Sequence, residues 1–138
     1  MIAYVDSSVV LRFVLGQEDR LTSWRDIDRA IASELVRVEC LRSIDRARVV
    51  AGLSDANVAE RRAGLLRLLD GFELVGLEPA ILDRAADPFP TSLGTLDALH
   101  LATAVAIRDQ VPDLVVATHD VALGLAASAL GFEVHGLA

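Results

Sequence analysis

The fold of this chain is decided by its first stretch, which reads I-A-Y-V-D-S-S-V-V-L over residues 2–11. Ile2–Val5 is a short, entirely apolar run, typical of a strand buried on both faces of a sheet. Asp6, Ser7 and Ser8 favour helix N-termini, and a second apolar run follows over residues 9–15. The stretch therefore predicts a strand, a tight turn and a helix, which is how a parallel α/β sheet begins.

The rest of the chain repeats this alternation. Further strands are predicted at residues 30–33, 72–77, 114–117 and 132–135, and helices at 34–51, 79–86, 95–110 and 121–130, with another helix capped by 53–55 and ending at 70. Leu21, Trp24 and Ile27 stand at helical spacing, so helical structure is also expected over residues 20–30. Apolar strands that alternate with helices predict an α/β fold with a parallel sheet covered on both faces.

Length and composition indicate one domain over residues 1–138. Hydrophobic residues make up 53% of the chain, which argues against disorder. The longest uncharged stretches, such as residues 98–107 and 121–132, are shorter than the roughly 20 residues of a membrane span, so no membrane association is expected. No basic region precedes the first apolar run, which speaks against a secretory signal, and a single cysteine, Cys40, is consistent with the cytoplasm.

The charges exclude several kinds of chemistry. All 13 basic residues are arginine, so a Walker-A nucleotide site and Schiff-base catalysis, which need a lysine, are excluded. With 20 acidic residues the formal net charge is −7. Because proteins that coat nucleic acid are basic, any role in nucleic-acid chemistry must depend on a local site.

Two acids follow predicted strands at their carboxyl ends. Asp6 comes directly after the first strand, and Asp120 comes two residues beyond the strand at 114–117. In an open parallel sheet, ligands bind beyond these ends, where the strand order reverses. Each acid taken alone is also an ordinary candidate for a helix N-cap.

Asp97 lies in the first turn of the helix predicted at residues 95–110. This helix is apolar on nearly every side and is expected to be buried. A carboxylate there needs a cation or backbone donors, because an unpaired buried charge is too costly. The alternative is that Asp97 only complements the helix dipole.

Glu39 is placed by helical periodicity. At about 100° per residue it falls about 40° from Leu35, on the apolar face of its helix. Glu34 falls about 260° from Leu35, on the more polar side, and is the weaker candidate. The alternative for Glu39 is a local ion pair with Arg42 or Arg46.

A convergence of Asp6, Glu39, Asp97 and Asp120 would form a site for a hard cation, Mg²⁺ or Mn²⁺, since zinc prefers His and Cys ligands. His100 is interpreted as a satisfied core histidine, because no other histidine lies near it in the sequence. The side-chain hydroxyls beside the acids are expected to cap helices or to orient a carboxylate or a metal-bound water, and they belong to Ser7, Ser8 and Thr118.

Four stretches together resemble a known family. They are I-A-Y-V-D-S-S-V-V-L, S-E-L-V-R-V-E-C-L-R, T-L-D-A-L-H-L-A-T-A and V-V-A-T-H-D-V-A-L-G-L-A-A-S-A-L-G-F, beginning at residues 2, 33, 95 and 115. In this order they are similar to the PIN-domain ribonuclease toxins of the VapC type. The resemblance implies a three-layer α/β/α PIN-like fold with a short parallel sheet over a single domain.

The resemblance also implies an activity and partners. Asp6, Glu39, Asp97 and Asp120 match the four family acids, which implies a Mg²⁺- or Mn²⁺-dependent endoribonuclease. It further implies neutralisation by a cognate VapB-type antitoxin, a homodimer and a toxin–antitoxin hetero-oligomer. The ion would lower the pKa of a water that attacks an RNA phosphodiester.

A second function class remains open at this point: a non-catalytic α/β binding module that acts through its apolar N-terminal helices. Within residues 11–15 only Arg12 is polar, which leaves apolar surface there and around Trp24. This surface predicts a groove for an amphipathic antitoxin segment, which should be basic because the chain is acidic. An arginine of that segment is expected to pair with Asp6 or Asp97 and to compete with the metal.

Overall fold

The computed structural model describes residues 1–137 of the chain. Its strands are β1 (Ile2–Val5), β2 (Arg29–Ser33), β3 (Glu73–Val75), β4 (Val115–Ala117) and β5 (Glu133–His135). Its helices are α1 (Ser7–Val14), α2 (Leu35–Val50), α3 (Asp55–Asp70), α4 (Pro79–Ala86), α5 (Thr95–Arg108) and α6 (Val121–Ala129). The predicted alternation of strands and helices is confirmed, with ends that differ by a few residues.

The five strands form one parallel sheet in the order β3-β2-β1-β4-β5. Tyr4 in the central strand lies beside Ile31 of β2 on one side and Val116 of β4 on the other. The chain proceeds outward from β1 to β3, then returns to build β4 and β5 on the opposite side of β1. The strand order therefore reverses between β1 and β4, and a crevice opens beyond their carboxyl ends.

Two hydrophobic cores cover the two faces of this sheet. Ala3 and Val5 point into the first, which α1, α2 and α3 close with residues such as Val36 and Leu65. Tyr4 points the other way, into a second core closed by α5 and α6. This alternation of side chains along β1 gives a three-layer α/β/α arrangement, which confirms the predicted fold class.

The expected helical structure over residues 20–30 is wrong. Only Trp24–Asp26 form a 3₁₀ turn, and β2 already begins at Arg29. The apolar side chains at helical spacing instead pack on neighbouring elements: Leu21 is buried, and the Trp24 ring lies 4.5 Å from the Phe13 ring, centroid to centroid. A short segment that covers one side of α1 needs no more than a turn to bring these side chains inward.

No helix within residues 1–137 has the combined length and apolar character needed to cross a membrane.

Candidate active site

Asp6, Glu39, Asp97 and Asp120 line one cavity of ≈ 460 Å³. Asp6 follows β1 directly, and Asp120 precedes α6. Glu39 lies in the second turn of α2, and Asp97 lies in the first turn of α5. The structure therefore brings all four predicted acids together where the strand order reverses. Their assignment as catalytic and metal-binding residues stays a prediction.

Asp6 is buried, with 3% of its surface exposed. Its Oδ2 accepts hydrogen bonds from Ser8 Oγ at 2.7 Å and from Thr118 Oγ1 at 2.9 Å, and its Oδ1 accepts one from Ser7 Oγ at 3.4 Å. It occupies the N-cap position of α1 but makes no capping hydrogen bond through its side chain. The helix-cap alternative is therefore wrong for Asp6. The hydroxyls of Ser7, Ser8 and Thr118 orient its carboxylate, which is one of the uses predicted for them.

Asp120 does cap its helix. Its Oδ1 accepts a hydrogen bond from Leu123 N at 3.0 Å, in the first turn of α6. Its own backbone N donates to Thr118 Oγ1 at 3.0 Å, the hydroxyl that also binds Asp6. Capping fixes the direction of the carboxylate and is compatible with a second role for its other oxygen.

Glu39 points inward as the helical periodicity predicts. Its Oε1 lies 2.5 Å from His100 Nε2, and its Oε2 accepts a 3.4 Å hydrogen bond from Ser7 Oγ. Among the ion pairs of residues 1–137, none joins Glu39 to Arg42 or Arg46, so that alternative is wrong.

Glu34 is exposed and lies outside the acid cavity. Its Oε1 accepts a 3.4 Å hydrogen bond from Leu77 N, beyond the end of β3. The predicted difference between the directions of Glu34 and Glu39 is therefore confirmed.

Asp97 shows how crowded with negative charge the cavity is. Its partial burial, together with the charges of Asp120, Asp6 and Glu39, raises its pKa from 3.8 to about 6, although the nearby His100 acts in the opposite direction. A cation placed beside such a carboxylate would stabilise its ionised form.

His100 is fully buried, which confirms that it is a core histidine. What the sequence did not predict is its partners: Nδ1 lies 2.6 Å from Tyr4 Oη, and Nε2 lies against Glu39 and 3.7 Å from Asp6 Oδ1. Burial lowers the pKa of His100, but the hydrogen bond to Glu39 and the charge of Asp6 outweigh it and hold the pKa above the usual value. Both ring nitrogens are engaged, so His100 is placed to act on an acid rather than as a ligand.

The donor set fits a hard divalent cation. The cavity offers carboxylate oxygens, and the nearby Cys40 remains a neutral thiol because burial and the charges of Glu39 and Asp6 raise its pKa to about 12. In the part of the chain that the structure describes, no three His, Cys, Asp or Glu side chains are gathered tightly enough to hold one ion. The carboxylates lie around the cavity, three of them held by hydrogen bonds to hydroxyl, imidazole and backbone donors.

One family model, described as PIN domain, matches residues 3–124 of this chain. Ribonuclease VapC46 of Mycobacterium tuberculosis (strain ATCC 25618 / H37Rv) is 31% identical over 134 residues, which cover 95% of this chain and 94% of that protein. Ribonuclease VapC47 of M. tuberculosis (strain CDC 1551 / Oshkosh) is 28% identical over 123 residues, covering 84% of each protein.

A solved structure shares the fold. It is the VapBC2 complex of Rickettsia felis bound to a DNA fragment from the promoter of its own genes. One of its chains superposes on the chain described here with a TM-score of 0.66 at 11% identity, and the match covers 97% of each chain. The chain described here belongs to the PIN-domain family, in its VapC type.

Proposed function

We propose that the chain is the toxin of a toxin–antitoxin pair and an endoribonuclease that hydrolyses RNA phosphodiester bonds with the help of Mg²⁺ or Mn²⁺. The observation that carries this proposal is the convergence of Asp6, Glu39, Asp97 and Asp120 on one cavity in a VapC-type PIN domain. The names of the two mycobacterial relatives support the ribonuclease activity. One domain supplies the whole site, and its place of action is the cytoplasm.

Asp6, Glu39, Asp97 and Asp120 are the residues that would hold the cation. When bound, Mg²⁺ or Mn²⁺ lowers the pKa of a water and offsets charge on the leaving oxygen of a phosphodiester. The chain's own part is orientation: the hydroxyls of Ser8 and Thr118 fix the Asp6 carboxylate. Attack by water in line with the leaving 3′-oxygen leaves a 5′-phosphate and a 3′-hydroxyl.

The charges of the site make RNA binding depend on a cation. Four carboxylates in one cavity of a protein with a net charge of −7 repel a phosphate backbone. Burial, followed by the charges of Asp120 and Asp6, raises the pKa of Asp97 to about 6, so a further negative charge in this cavity is unfavourable. A divalent cation offsets part of this repulsion, so substrate binding and hydrolysis should be lost together when it is withdrawn.

The experiment is RNA cleavage by the purified protein in Mg²⁺, in Mn²⁺ and after addition of EDTA, with the product ends mapped. We expect cleavage with either ion, none in EDTA, and 5′-phosphate ends. Undiminished cleavage in EDTA, or a 2′,3′-cyclic phosphate product, would overturn the metal-dependent mechanism. In the same assay Asp97→Asn should be inactive, and Asp87→Asn is its control, because Asp87 is an exposed aspartate that lies outside the acid cavity.

The alternative of a non-catalytic binding module is not favoured. A binding module has no need of four acids around one cavity, and both curated relatives are named as ribonucleases. Most of the apolar character of α1 serves the core, since Val9 and Val10 are buried in it and Leu11, Phe13 and Val14 pack against it. Phe13 and Val14 are only partly buried and also line a groove.

A groove between α1 and α3, rather than between α1 and the segment around Trp24 as predicted, supports an antitoxin as partner. A cavity of ≈ 390 Å³ lies between α1 and α3, with Phe13, Val14 and Leu68 as its apolar lining. It opens on the α3 side of Phe13, whereas Trp24 packs against Phe13 and Phe72 and fills the other side. The occupant we propose is an amphipathic segment of a VapB-type antitoxin, whose apolar side chains would pack on Phe13, Val14 and Leu68. The expected basic character of this segment rests on the net charge of −7 of the whole chain, because the groove itself carries Arg61 and Arg67 beside Glu60.

The geometry of α1 joins this groove to the acid cavity. Leu11 lines the acid cavity, while Phe13 and Val14 line the groove. The 8 residues of α1 span about 12 Å, which about four extended residues of a bound segment cover. A segment seated in the groove therefore reaches the acids, where an arginine can pair with Asp6 or Asp97 and compete with the cation.

A homodimer is also part of the proposal. Val38 and Leu96 are 54% and 50% exposed and line a cavity of ≈ 570 Å³ beside the acid site. Its rim carries both charges, Arg42 and Arg46 with Asp45, so the patch can complement itself across a twofold axis. Light scattering of the wild type and of Leu96→Asp tests this: a dimer that the substitution splits is expected, and a monomeric wild type would refute it.

A further inference from the structure

Tyr4, His100 and Glu39 form a continuous hydrogen-bonded line from the centre of the sheet to the acid cavity. Tyr4 Oη lies 2.6 Å from His100 Nδ1, and His100 Nε2 lies 2.5 Å from Glu39 Oε1. Tyr4 and His100 are buried, with 1% and 0% of their surfaces exposed. The line joins three elements far apart in sequence, β1, α5 and α2, at the point where the acids meet.

The hydrogen bond between His100 and Glu39 has the same donor in both charge states of the imidazole. Ser33 N donates to Tyr4 Oη at 3.2 Å, and Tyr4 Oη lies against His100 Nδ1. A neutral ring that accepts the phenol O–H at Nδ1 carries its proton on Nε2, and a charged ring carries protons on both nitrogens. A carboxylate oxygen only accepts, so in either state His100 Nε2–H donates to Glu39 Oε1.

We propose that Tyr4 and His100 are positioning residues, which hold Glu39 by Oε1 so that Oε2 is presented to a divalent cation in the acid cavity. The inference rests on the function proposed above. Glu39 Oε2 is the oxygen on the Ser7 side, and Ser7 lines the same cavity. Neither Tyr4 nor His100 lines that cavity. They act through Glu39, which is in hydrogen-bond distance of His100, whereas Asp6 Oδ1 is 3.7 Å from His100 Nε2.

Glu39 needs a positioning residue because of the charges around it. Glu39 has three side-chain torsions and stands among the carboxylates of Asp6 and Asp97, whose repulsion pushes it out of the cavity. The Nε2–H donor of His100 opposes this displacement. It also orders the Glu39 side chain before a cation binds. Without the donor, Glu39 is free to turn toward solvent, and the cation loses a ligand held ready in position.

The test measures Mn²⁺ binding to the full chain without RNA, from the electron paramagnetic resonance signal of free Mn²⁺. His100→Leu should weaken Mn²⁺ binding by roughly 10- to 100-fold, the usual effect of losing a residue that orients a ligand. Tyr4→Phe should also weaken Mn²⁺ binding, but by a smaller factor, because the imidazole remains. His100→Gln places an amide N–H where Nε2 was, and is expected to recover part of the loss.

Leu101→Ala is the matched control. Leu101 is the next residue of α5 and is 1% exposed, and its side chain packs in the core without a polar atom. It should lower thermal stability at least as much as His100→Leu does, because Leu→Ala leaves a cavity, yet it should leave Mn²⁺ affinity unchanged. A merely structural role of His100 predicts the opposite, namely that affinity follows stability across all four variants.

Each outcome decides between the two proposals. If wild type binds Mn²⁺ and both His100→Leu and Tyr4→Phe bind it equally well, the positioning role is wrong and the proposed function stands. If wild type binds no Mn²⁺ at all, the metal-dependent function fails, and the positioning role fails with it. If His100→Leu does not fold, Tyr4→Phe and His100→Gln still carry the comparison, since each keeps the size of the side chain it replaces.

Discussion

Asp97→Asn is expected to abolish RNA cleavage and, at neutral pH, to make the protein more stable. In the wild type, burial and the charges of Asp120 and Asp6 raise the Asp97 pKa from 3.8 to about 6. At about 1.4 kcal/mol per pKa unit, this penalises the folded state by at most about 3 kcal/mol above pH 6. Because Asp97 is partly exposed to solvent, which screens the charges, we expect a gain of about 1 kcal/mol.

The sign of the pH dependence follows from the direction of the shift. With a folded-state pKa above the unfolded value, Asp97 contributes stability that is fully present below pH 3.8 and is lost as the pH rises through about 6. Asparagine does not titrate. The difference between variant and wild type should therefore grow from nearly zero below pH 4 to its full size at pH 7.

Urea unfolding followed by circular dichroism at pH 3.8 and at pH 7 measures this difference, and Asp55→Asn is the control. Asp55 also lies in the first turn of a helix, α3, but it is exposed and paired with Arg48. Its loss should lower stability at pH 7. If Asp97→Asn is less stable than the wild type at pH 7, or shows the same difference at both pH values, Asp97 is not a carboxylate crowded by like charges.

Three other substitutions test separate parts of the account. Glu39→Gln should abolish cleavage, while Glu34→Gln, outside the cavity, should keep at least half of the activity; equal losses would mean that the site was assigned to the wrong face of α2. Phe13→Asp should weaken antitoxin binding by at least roughly tenfold in calorimetry, and Leu82→Asp on α4 should not; unchanged binding by Phe13→Asp would place the antitoxin elsewhere. Gly136→Ala should lower the free energy of unfolding by about 2 kcal/mol. The φ of Gly136 is 106°, and a methyl group there would lie 2.4 Å from the backbone oxygen of Thr118. A variant as stable as the wild type would contradict this strain.

Periodicity and local chemistry were enough to predict most of the sheet and the placement of the acids. Ile2–Val5 is apolar throughout because it is buried on both faces, and this distinguishes a central parallel strand from an edge strand. The phase of α2 follows from a fixed angle per residue, so the inward direction of Glu39 was predictable from sequence. Both inferences depend only on residues that are close along the chain.

Contacts between distant residues set the limit of that reasoning. Tyr4 and His100 are 96 residues apart, and only the packing of α5 on the second face of the sheet shows that they meet. The signal in the sequence was limited to a tyrosine in a buried strand and a histidine in a buried helix, each of which needs a partner. Trp24 shows the same limit in another form. Its helical spacing with Leu21 and Ile27 predicted a helix and apolar surface left for a partner, but a single 3₁₀ turn packs its ring against Phe13 and Phe72.

The central claim, that the acids of this cavity hold a divalent cation, is tested most directly by crystals of the protein soaked in Mn²⁺. Anomalous scattering locates the ion without reference to any assumed chemistry. We predict a peak in the acid cavity, within about 2.5 Å of carboxylate oxygens from the set Asp6, Glu39, Asp97 and Asp120, and no such peak in crystals of Asp97→Asn. A fully soaked crystal with no peak in the acid cavity, or with its only peak on His119 or His135, would contradict it.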